Sequence, residues 1–389
     1  MALTWAAVSD EITSIAQEWR ADRTARQQRT RLDPVDFARL ADAGFLIAPV
    51  PEVGGGLWRS VPDSTRPLCE LLRTLGRADS SVALVSSMHP AVLGFWLASP
   101  DATRAGWTEQ RDAVFASAAA GAQWGTITSE PGSGGDIFRS KSQARPIDDS
   151  HALPGATYAI SGDKHFGSGS GVASFMITTA VAEGEDLPTV FVFDMRDRPW
   201  DGSAGAQLVA EWDGVGMAAT QSHAMRFDAC PAVRMAWESP IEEITFAAGP
   251  LVSNLFTAVV LGVLDEAVDT ARRQLEPKAA TLRAFEQVEW ARAEREHWLA
   301  VQAYEGALRT VEAGDGARSL YAALRAKESV AELAESVLSR LARVIGGGTF
   351  SRRSPFASWF EDVRALGFLR PPWGLAYDSL FLSSFTPPA

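Results

Sequence analysis

Apolar residues in the first part of the chain recur at the spacing of an amphipathic helix. Two stripes show this most clearly: Val8, Ile12, Ile15 and Trp19, and then Leu68, Leu71, Leu72 and Leu75. Steps of three and four residues put such side chains on one face of a helix. Asp33-Pro34 predicts a helix start, because aspartate caps a helix and proline fits its first turn, and Gly44 predicts the stop. Residues 1–115 are therefore predicted to form an N-terminal helical domain.

The pattern then changes to the alternation of a strand. His223, Met225 and Phe227 share one face of their segment, and the runs 175–181 and 189–193 are rich in β-branched and aromatic residues. Turn-forming residues separate these runs. We predict a central antiparallel β domain at 116–236.

Helical spacing returns after residue 237. Its clearest stripe is Leu320, Leu324, Ala331, Ala334, Leu338, Leu341 and Ile345, ended by Gly346, Gly347 and Gly348. The apolar run 246–264 leads directly into Asp265 and Glu266, which favours a helix buried in a bundle over a membrane span. The predicted fold class is α+β, with a helical C-terminal part at 237–389.

Length and charge narrow the class of protein. A chain of 389 residues implies two or three domains. The net charge of -12 argues against a nucleic-acid partner and an anionic membrane, because both need a basic surface. The two cysteines lie far apart and the five histidines have no metal-ligand spacing, so neither a disulfide framework nor a metal site is predicted. The N-terminus lacks a secretory pattern, and we expect a cytoplasmic protein that acts on small molecules.

A turn rich in glycine and serine lies inside the β domain. Residues 129–136 read Ser-Glu-Pro-Gly-Ser-Gly-Gly-Asp, and the segment 162–171 carries a similar composition. Glycine allows a ligand to approach the backbone closely, and serine adds hydroxyl groups. A flat ligand could lie here, although the same composition is also typical of a surface hairpin.

Five short segments resemble the acyl-CoA dehydrogenase superfamily in sequence, order and spacing. They are Ala-Gly-Phe-Leu with Val-Pro-Glu-Val-Gly-Gly-Gly within 43–56, Ala-Asp-Ser-Ser-Val-Ala at 78–83, the turn at 129–136, Tyr-Ala-Ile-Ser-Gly-Asp-Lys-His-Phe at 158–166, and Val-Ile-Gly-Gly-Gly at 344–348. The resemblance implies a central domain of two packed sheets, a C-terminal four-helix bundle and a homotetramer or dimer. It also implies a flavin cofactor, FAD, with FMN or a reduced flavin as the alternative.

The resemblance also implies which residues contact the flavin. The ring-side contacts would be Trp124, Thr126, Thr128, Ser129, Phe166 and Ser168, with Ser129 at the pyrimidine edge and Ser168 near N5. Ser133, Gly135 and Asp136 would line the substrate entrance. Arg273, Arg343, Gly346 and Gly347 would hold the phosphate and adenine half, although Arg273 is out of register and Arg343 replaces a glutamine.

The chain departs from the family where a catalytic base is expected. Acyl-CoA dehydrogenases remove an α-proton with a glutamate. The two positions that carry this glutamate in the family fall on Arg370 and near Ala248, neither of which is a carboxylate. Glu243 is close enough to be a candidate, or else an acid that complements a helix start.

Three functions follow from the resemblance. The first is the two-electron oxidation of an acyl thioester, such as a CoA thioester, or of a related small molecule, with hydride transfer to flavin and a separate electron acceptor. The alternative is a monooxygenase that receives reduced flavin from a reductase and needs no α-proton base, with His89 as its candidate catalytic residue. The third is a scaffold that has kept the fold without catalysis.

Overall fold

The computed structural model describes residues 3–99 and 105–385. In chain order the α-helices before the sheet are α1 (Trp5–Ala21), α2 (Arg23–Arg26), α3 (Pro34–Asp42), α4 (Val61–Gly76), α5 (Ser80–Leu97) and α6 (Ala105–Ala119). The strands are β1 (Trp124–Thr126), β2 (Gln143–Pro146), β3 (Thr157–Gly167), β4 (Phe175–Ala182), β5 (Pro188–Asp194), β6 (Ala206–Ala210) and β7 (His223–Arg234). The helices after the sheet are α7 (Ile241–Leu275), α8 (Ala284–Glu312), α9 (Gly316–Ile345), α10 (Pro355–Arg364) and α11 (Trp373–Phe385). The mixed α and β composition predicted from the sequence is confirmed.

The first helices form where side-chain spacing and capping predict them. The apolar stripe of α1, from Val8 to Trp19, is buried, and the Asp33 side chain accepts a hydrogen bond from the Val35 amide at the start of α3. Gly44, just beyond the end of α3, has a φ of 83°. That left-handed conformation suits glycine and ends the helix.

The N-terminal and C-terminal helices share one hydrophobic core. α4 and α5 pack directly against α7, and buried residues of α1, α4, α7 and α9 belong to one cluster. The α4–α7 crossing is close: a Cβ on Gly76 would lie 2.3 Å from the Val259 carbonyl oxygen, and one on Gly262 would lie 2.2 Å from that of Arg73. Glycine at both positions lets the two backbones touch.

The seven strands form one mixed sheet rather than the antiparallel domain that the sequence predicts. β4 runs parallel to both β1 and β2, and antiparallel to β5. The path β4–β2–β3–β7–β5 returns to β4, so the sheet closes on itself around a buried core of its own. Alternation along a strand reports which face is buried, not the direction of its partner, which is why the parallel pairs escape sequence analysis.

Within residues 3–99 and 105–385, two helices are long and apolar enough to cross a membrane by length and composition. They are Ser80–Leu97 and a stretch within Ile241–Thr281, and 83% of the apolar window of each is buried inside the protein. Both therefore act as core helices, as predicted for the run 246–264. α9 ends at Gly346, whose φ is 94°, at the predicted stop.

Candidate active site

Two adjoining cavities lie between the sheet and the helices α5, α7 and α11. The larger, about 670 Å³, is bordered by the turn 129–135 and is called here the glycine-turn cavity. The smaller, about 500 Å³, is lined mainly by aliphatic and aromatic side chains and is called the apolar cavity. Residues lining both are Met88, Thr126, Thr128, Gly135, Phe256 and Arg370. A ligand in one cavity would therefore meet a ligand in the other across this shared wall.

The glycine turn lines its cavity with backbone. Gly132, Gly134 and Gly135 all have φ between 64° and 81°. No heavy atom would lie within 4 Å of a Cβ on Gly132 or Gly134, whereas a Cβ on Gly135 would lie 3.0 Å from Cγ of Pro372. The turn thus combines an open backbone surface with one tight contact to the segment after α10.

A buried ion pair supports the turn from beneath. Lys164 Nζ lies 2.5 Å from Oε1 of Glu130, and both side chains are almost completely buried. Glu130 also accepts hydrogen bonds from the hydroxyls of Ser140 and Ser142 and from the Lys141 amide. Burial alone would raise the pKa of Glu130, but the hydrogen bonds from Lys164 and Ser140 lower it to about 2, while burial lowers the pKa of Lys164 to about 8. Both groups are therefore charged at neutral pH.

A chain of hydroxyl groups gives Ser168 a defined hydrogen-bonding role. Thr220 Oγ1 donates its single hydrogen to the Met217 carbonyl at 2.8 Å. Ser222 must then donate to Thr220 Oγ1 at 2.8 Å, and Ser168 must donate to Ser222 Oγ at 2.9 Å. This order leaves Ser168 Oγ, which lines the glycine-turn cavity, as an acceptor toward any ligand there.

Phe166 presents an aromatic ring to the glycine-turn cavity. The residue is 60% exposed, and its φ of 58° is rare for a bulky side chain. The rings of His165 and Trp212 pack edge-on against it, with centroids 6.1 and 6.2 Å away. Strain of this kind persists where the surroundings hold a residue in place, and it is concentrated at functional sites.

Arg370 lies in the wall that the two cavities share. Its Nη2 donates to Ser129 Oγ at 3.1 Å. Burial lowers the pKa of the guanidinium to about 10, against the raising effect of the Asp136 carboxylate, so the group is charged at neutral pH. The following residue is held in place because Lys327 Nζ donates to the Pro371 carbonyl at 2.9 Å.

The structure brings most of the ring-side residues and part of the substrate-entrance set together. Thr126, Thr128, Ser129, Phe166 and Ser168 all line the glycine-turn cavity. Gly135 lines both cavities and Asp136 lines the apolar one, where its carboxylate also caps the Phe138 amide.

Two residues of these sets point elsewhere. Trp124 is completely buried, stacks on Phe175 and donates from its indole to Ser117. Ser133 directs its hydroxyl into the turn, to the Glu130 carbonyl. Neither lines a cavity, so the roles assigned to them from the sequence are replaced by structural ones.

His89 has a structural place rather than the catalytic one proposed from the sequence. The side chain is completely buried and lines neither cavity. Nδ1 accepts a hydrogen bond from the Trp124 amide at 3.1 Å, so the proton is on Nε2, which donates to the Leu46 carbonyl at 2.8 Å. Burial lowers the pKa of His89 to about 4, and the ring joins α5 to β1 as a neutral group.

This placement predicts a stability change with pH. The unfolded histidine takes up a proton below its ordinary pKa of 6.5, whereas the folded one resists protonation down to about 4. Stability should therefore fall by about 3 kcal/mol from this group as the pH drops from 6.5 to 4. His89→Gln keeps one donor and one acceptor, and its urea unfolding should depend less on pH in that window.

Wild type and His89→Gln must be compared directly, because Asp362 titrates in the same pH range and changes the stability in the opposite direction. Burial raises the pKa of Asp362 to about 6, so its contribution is lost as the pH rises. Equal pH dependence in wild type and His89→Gln would contradict the structural role, as would a large loss of catalytic turnover with unchanged stability.

The remaining predicted residues lie away from both cavities. Glu243 is exposed at the start of α7, whereas Ala248, five residues later on another face of the helix, lines the apolar cavity. The Glu243 carboxylate is therefore exposed to solvent and does not line either cavity, so it is not placed to act as the catalytic base proposed from the sequence.

The residues predicted for the adenine half of a cofactor are at the far ends of α7 and α9. Arg273 pairs with Glu266 at 3.1 Å and Arg343 with Glu289 at 3.0 Å. Gly346 and Gly347 follow α9 on the surface side of the bundle. Within one chain, these four residues do not line either cavity.

Several lining residues had no signal in the sequence. Trp212, Thr220 and Ser222 border the glycine-turn cavity, and Phe256 borders both. Trp212 and Ser222 flank predicted strands, where an aromatic or hydroxyl residue is ordinary. Ser222 lies beside Ser168 because β3 pairs with β7, whereas Trp212, which follows β6, packs edge-on against Phe166.

No family model matches the chain. Among curated proteins, it is 26% identical over 394 residues to dibenzothiophene monooxygenase of Mycolicibacterium goodii, covering 90% of this chain and 87% of that protein. It is 25% identical to the putative acyl-CoA dehydrogenase YdbM of Bacillus subtilis (strain 168), covering 93% and 92%. It is also 26% identical to L-evernosamine nitrososynthase of Micromonospora sp., covering 89% and 82%.

Solved structures share the fold over nearly the whole chain. The FMN-bound enzyme TdsC from Paenibacillus sp. A11-2 aligns with a TM-score of 0.79 at 19% identity, covering 97% of both chains. The nitrososynthase from Micromonospora carbonacea var. africana aligns with a TM-score of 0.79 at 20% identity, covering 99% and 98%. The sequence relatives, together with the five motifs, confirm the resemblance to the acyl-CoA dehydrogenase superfamily of flavin-dependent enzymes, and the solved structures confirm the fold.

Proposed function

We propose that the protein is a flavin-dependent monooxygenase that takes up reduced FMN and transfers one oxygen atom of O₂ to a small, largely apolar substrate. One observation carries the proposal. The wall shared by the two cavities is built from hydroxyls, apolar side chains, a glycine and the Arg370 guanidinium. Where α-proton abstraction would need a carboxylate, the chain has a cation and Ala248.

The residues around the glycine-turn cavity fit a flavin ring. The cavity is large enough for the ring system, the turn offers open backbone at Gly132 and Gly134, and Phe166 offers an aromatic face. Ser129 and Ser168 offer hydroxyls along the polar edge of such a ring. FMN is preferred to FAD because the residues expected to hold adenine are ion-paired elsewhere, and the solved TdsC binds FMN.

Reduced FMN would supply the two electrons that activate oxygen. The balanced reaction converts FMNH₂, O₂ and substrate into FMN, oxygenated substrate and water. The apolar side chains of the second cavity would bind the substrate and exclude bulk water from the shared wall. Thr126 and Thr128, whose hydroxyl oxygens are 3.5 Å apart, would provide hydrogen bonds at the point of transfer.

Dehydrogenation of an acyl thioester, the first function inferred from the sequence, is the less favoured proposal. The likeness to the putative acyl-CoA dehydrogenase YdbM is the finding that supports dehydrogenation. Two carboxylates among the described residues border the glycine-turn cavity, and both form ion pairs: Glu130 with Lys164 and Glu361 with Arg364. The carboxylates that line the apolar cavity are Asp136, which accepts the Phe138 amide, and Asp378, which is exposed; neither stands at an expected base position.

The proposal predicts oxygen-dependent turnover that requires reduced flavin. Purified protein would be combined with FMN, NADH, a separate flavin reductase and indole as the probe, under isotopically labelled O₂. We expect product that carries one labelled oxygen atom, and none when the reductase or oxygen is omitted. In a parallel anaerobic experiment, bleaching of protein-bound FMN by octanoyl-CoA would overturn the proposal in favour of dehydrogenation.

A further inference from the structure

The apolar cavity contains one cation among the described residues that line it, Arg370. Its other side chains are mainly aliphatic and aromatic, such as Phe95, Phe138 and Leu324, with a few hydroxyls and the carboxylates of Asp136 and the exposed Asp378. A single guanidinium facing a mostly hydrocarbon surface is an arrangement that selects one ionic group on an apolar molecule.

The Arg370 guanidinium has few partners of its own. It carries five N–H donors. In the described part of the chain, its hydrogen bond to another side chain goes to Ser129 Oγ, a neutral acceptor. Asp136 lies near enough to influence its pKa, but the Asp136 carboxylate accepts the Phe138 amide at 2.9 Å. Among the described residues, Arg370 forms no direct ion pair with a carboxylate, so an anion brought by a ligand would offset part of the cost of burying the guanidinium.

The backbone that carries Arg370 is also restrained at the shared wall. Pro371 and Pro372 follow it directly, and both have restricted backbones. Lys327 fixes the Pro371 carbonyl, and Pro372 packs against the glycine turn at Gly135. A fixed, planar fork of donors binds a carboxylate with two parallel hydrogen bonds and loses little conformational entropy.

We infer that the substrate carries one carboxylate-like anionic group on an apolar, ring-sized body, and that Arg370 pairs with this group at the wall between the cavities. This inference rests on the proposed function and specifies its substrate class. One cation suits one carboxylate, whereas a sugar nucleotide would place two phosphates in a cavity that is otherwise apolar. Pairing at Arg370 would put the atoms next to the carboxylate beside the glycine-turn cavity, where oxygen transfer is proposed.

The test compares two ligands of the same shape. Naphthoate and naphthamide differ in charge but share their ring system. Their affinities would be measured by titration calorimetry with the full chain, with saturating oxidised FMN and again without flavin. We expect wild type to bind naphthoate about tenfold or more tightly than naphthamide, the size of one charge-assisted pair. Arg370→Met should abolish this preference while changing naphthamide binding by less than about threefold.

Controls separate charge from folding and from flavin binding. Arg318→Met removes an exposed arginine of α9 and should keep the preference. Melting temperatures verify that Arg370→Met is folded, and Arg370→Gln serves as a second variant. Because this binding assay needs neither reduction nor oxygen, it stands even if oxygenation is not observed.

Three results would overturn the inference. They are equal affinities of the two ligands for wild type, a preference for naphthoate that persists in Arg370→Met, or a preference that wild type shows without flavin and loses with saturating oxidised FMN. The last result would assign the guanidinium to the flavin.

Discussion

Lys164→Met should lower the free energy of unfolding by about 3–5 kcal/mol, because it leaves the Glu130 carboxylate buried without its cation. Both partners are nearly inaccessible to solvent, and Glu130 organises the backbone and hydroxyls of residues 140–142 beneath the glycine turn. The turn should loosen as well, so FMN affinity should fall. Urea unfolding and an FMN titration would measure the two effects.

The double variant Glu130→Gln, Lys164→Met is the matched control. Removing both charges leaves no unpaired ion, so at least half of the lost stability should return. Arg226→Met, which breaks an exposed ion pair with Asp163 on the same strand β3 as Lys164, should cost less than about 1 kcal/mol. A loss for Lys164→Met no larger than that of Arg226→Met would contradict the role of the pair.

Ser168→Val should weaken binding of reduced FMN about tenfold or more, which corresponds to the loss of one buried hydrogen bond. The hydroxyl chain to Thr220 and the Met217 carbonyl makes Ser168 Oγ an acceptor toward the cavity. Reduction of a flavin adds ring N–H groups that donate to such an acceptor, whereas the oxidised ring presents an acceptor at N5. The affinity for oxidised FMN should therefore fall less. Anaerobic titrations with reduced FMN and aerobic titrations with oxidised FMN would measure both.

Ser222→Ala provides the complementary control. Without Ser222 Oγ, the Ser168 hydroxyl is free to turn its hydrogen toward the cavity, and the protein should lose part of its preference for reduced over oxidised flavin. Similar losses for both redox states in Ser168→Val, or an unchanged redox preference in Ser222→Ala, would contradict the acceptor role of Ser168.

The two predictions concern different layers of one site. Lys164 and Glu130 act from beneath the glycine turn, whereas Ser168 contacts the cavity itself. Arg370 contacts both parts, because it lines the cavity and donates a hydrogen bond to Ser129 at the start of the glycine turn. The site is thus assembled from the sheet and from the segment that follows α10.

Short-range sequence patterns predicted the elements well. The stripe from Val8 to Trp19 is a buried helix face, the alternation from His223 to Phe227 is a strand with those side chains buried, and Gly346 ends a helix. These features depend on residues within a few positions of one another, so the local spacing of apolar and turn-forming residues is enough to predict them. The motif at 129–136 likewise gave the turn that borders the larger cavity.

Patterns were less informative where a residue type fits several environments. His89 has the chemistry of a catalytic group, but the amide of Trp124 and the carbonyl of Leu46 use both of its nitrogens. Glu243 is an acid near the expected base position, but the helix turns it to solvent while Ala248 faces the cavity. In both cases orientation decides the role, and orientation depends on the packing of distant elements.

The sequence by itself determined the order of helices and strands, the glycine turn and the resemblance to the acyl-CoA dehydrogenase superfamily, because these depend on local spacing and on motifs in fixed order. The tertiary structure decided which of those residues form the site. It closed the sheet through parallel partners of β4, placed Ser222 beside Ser168, and brought Arg370 across from Ser129, residues far apart along the chain. Such contacts arise when separate hydrophobic faces are buried together, and local sequence carries no record of that arrangement.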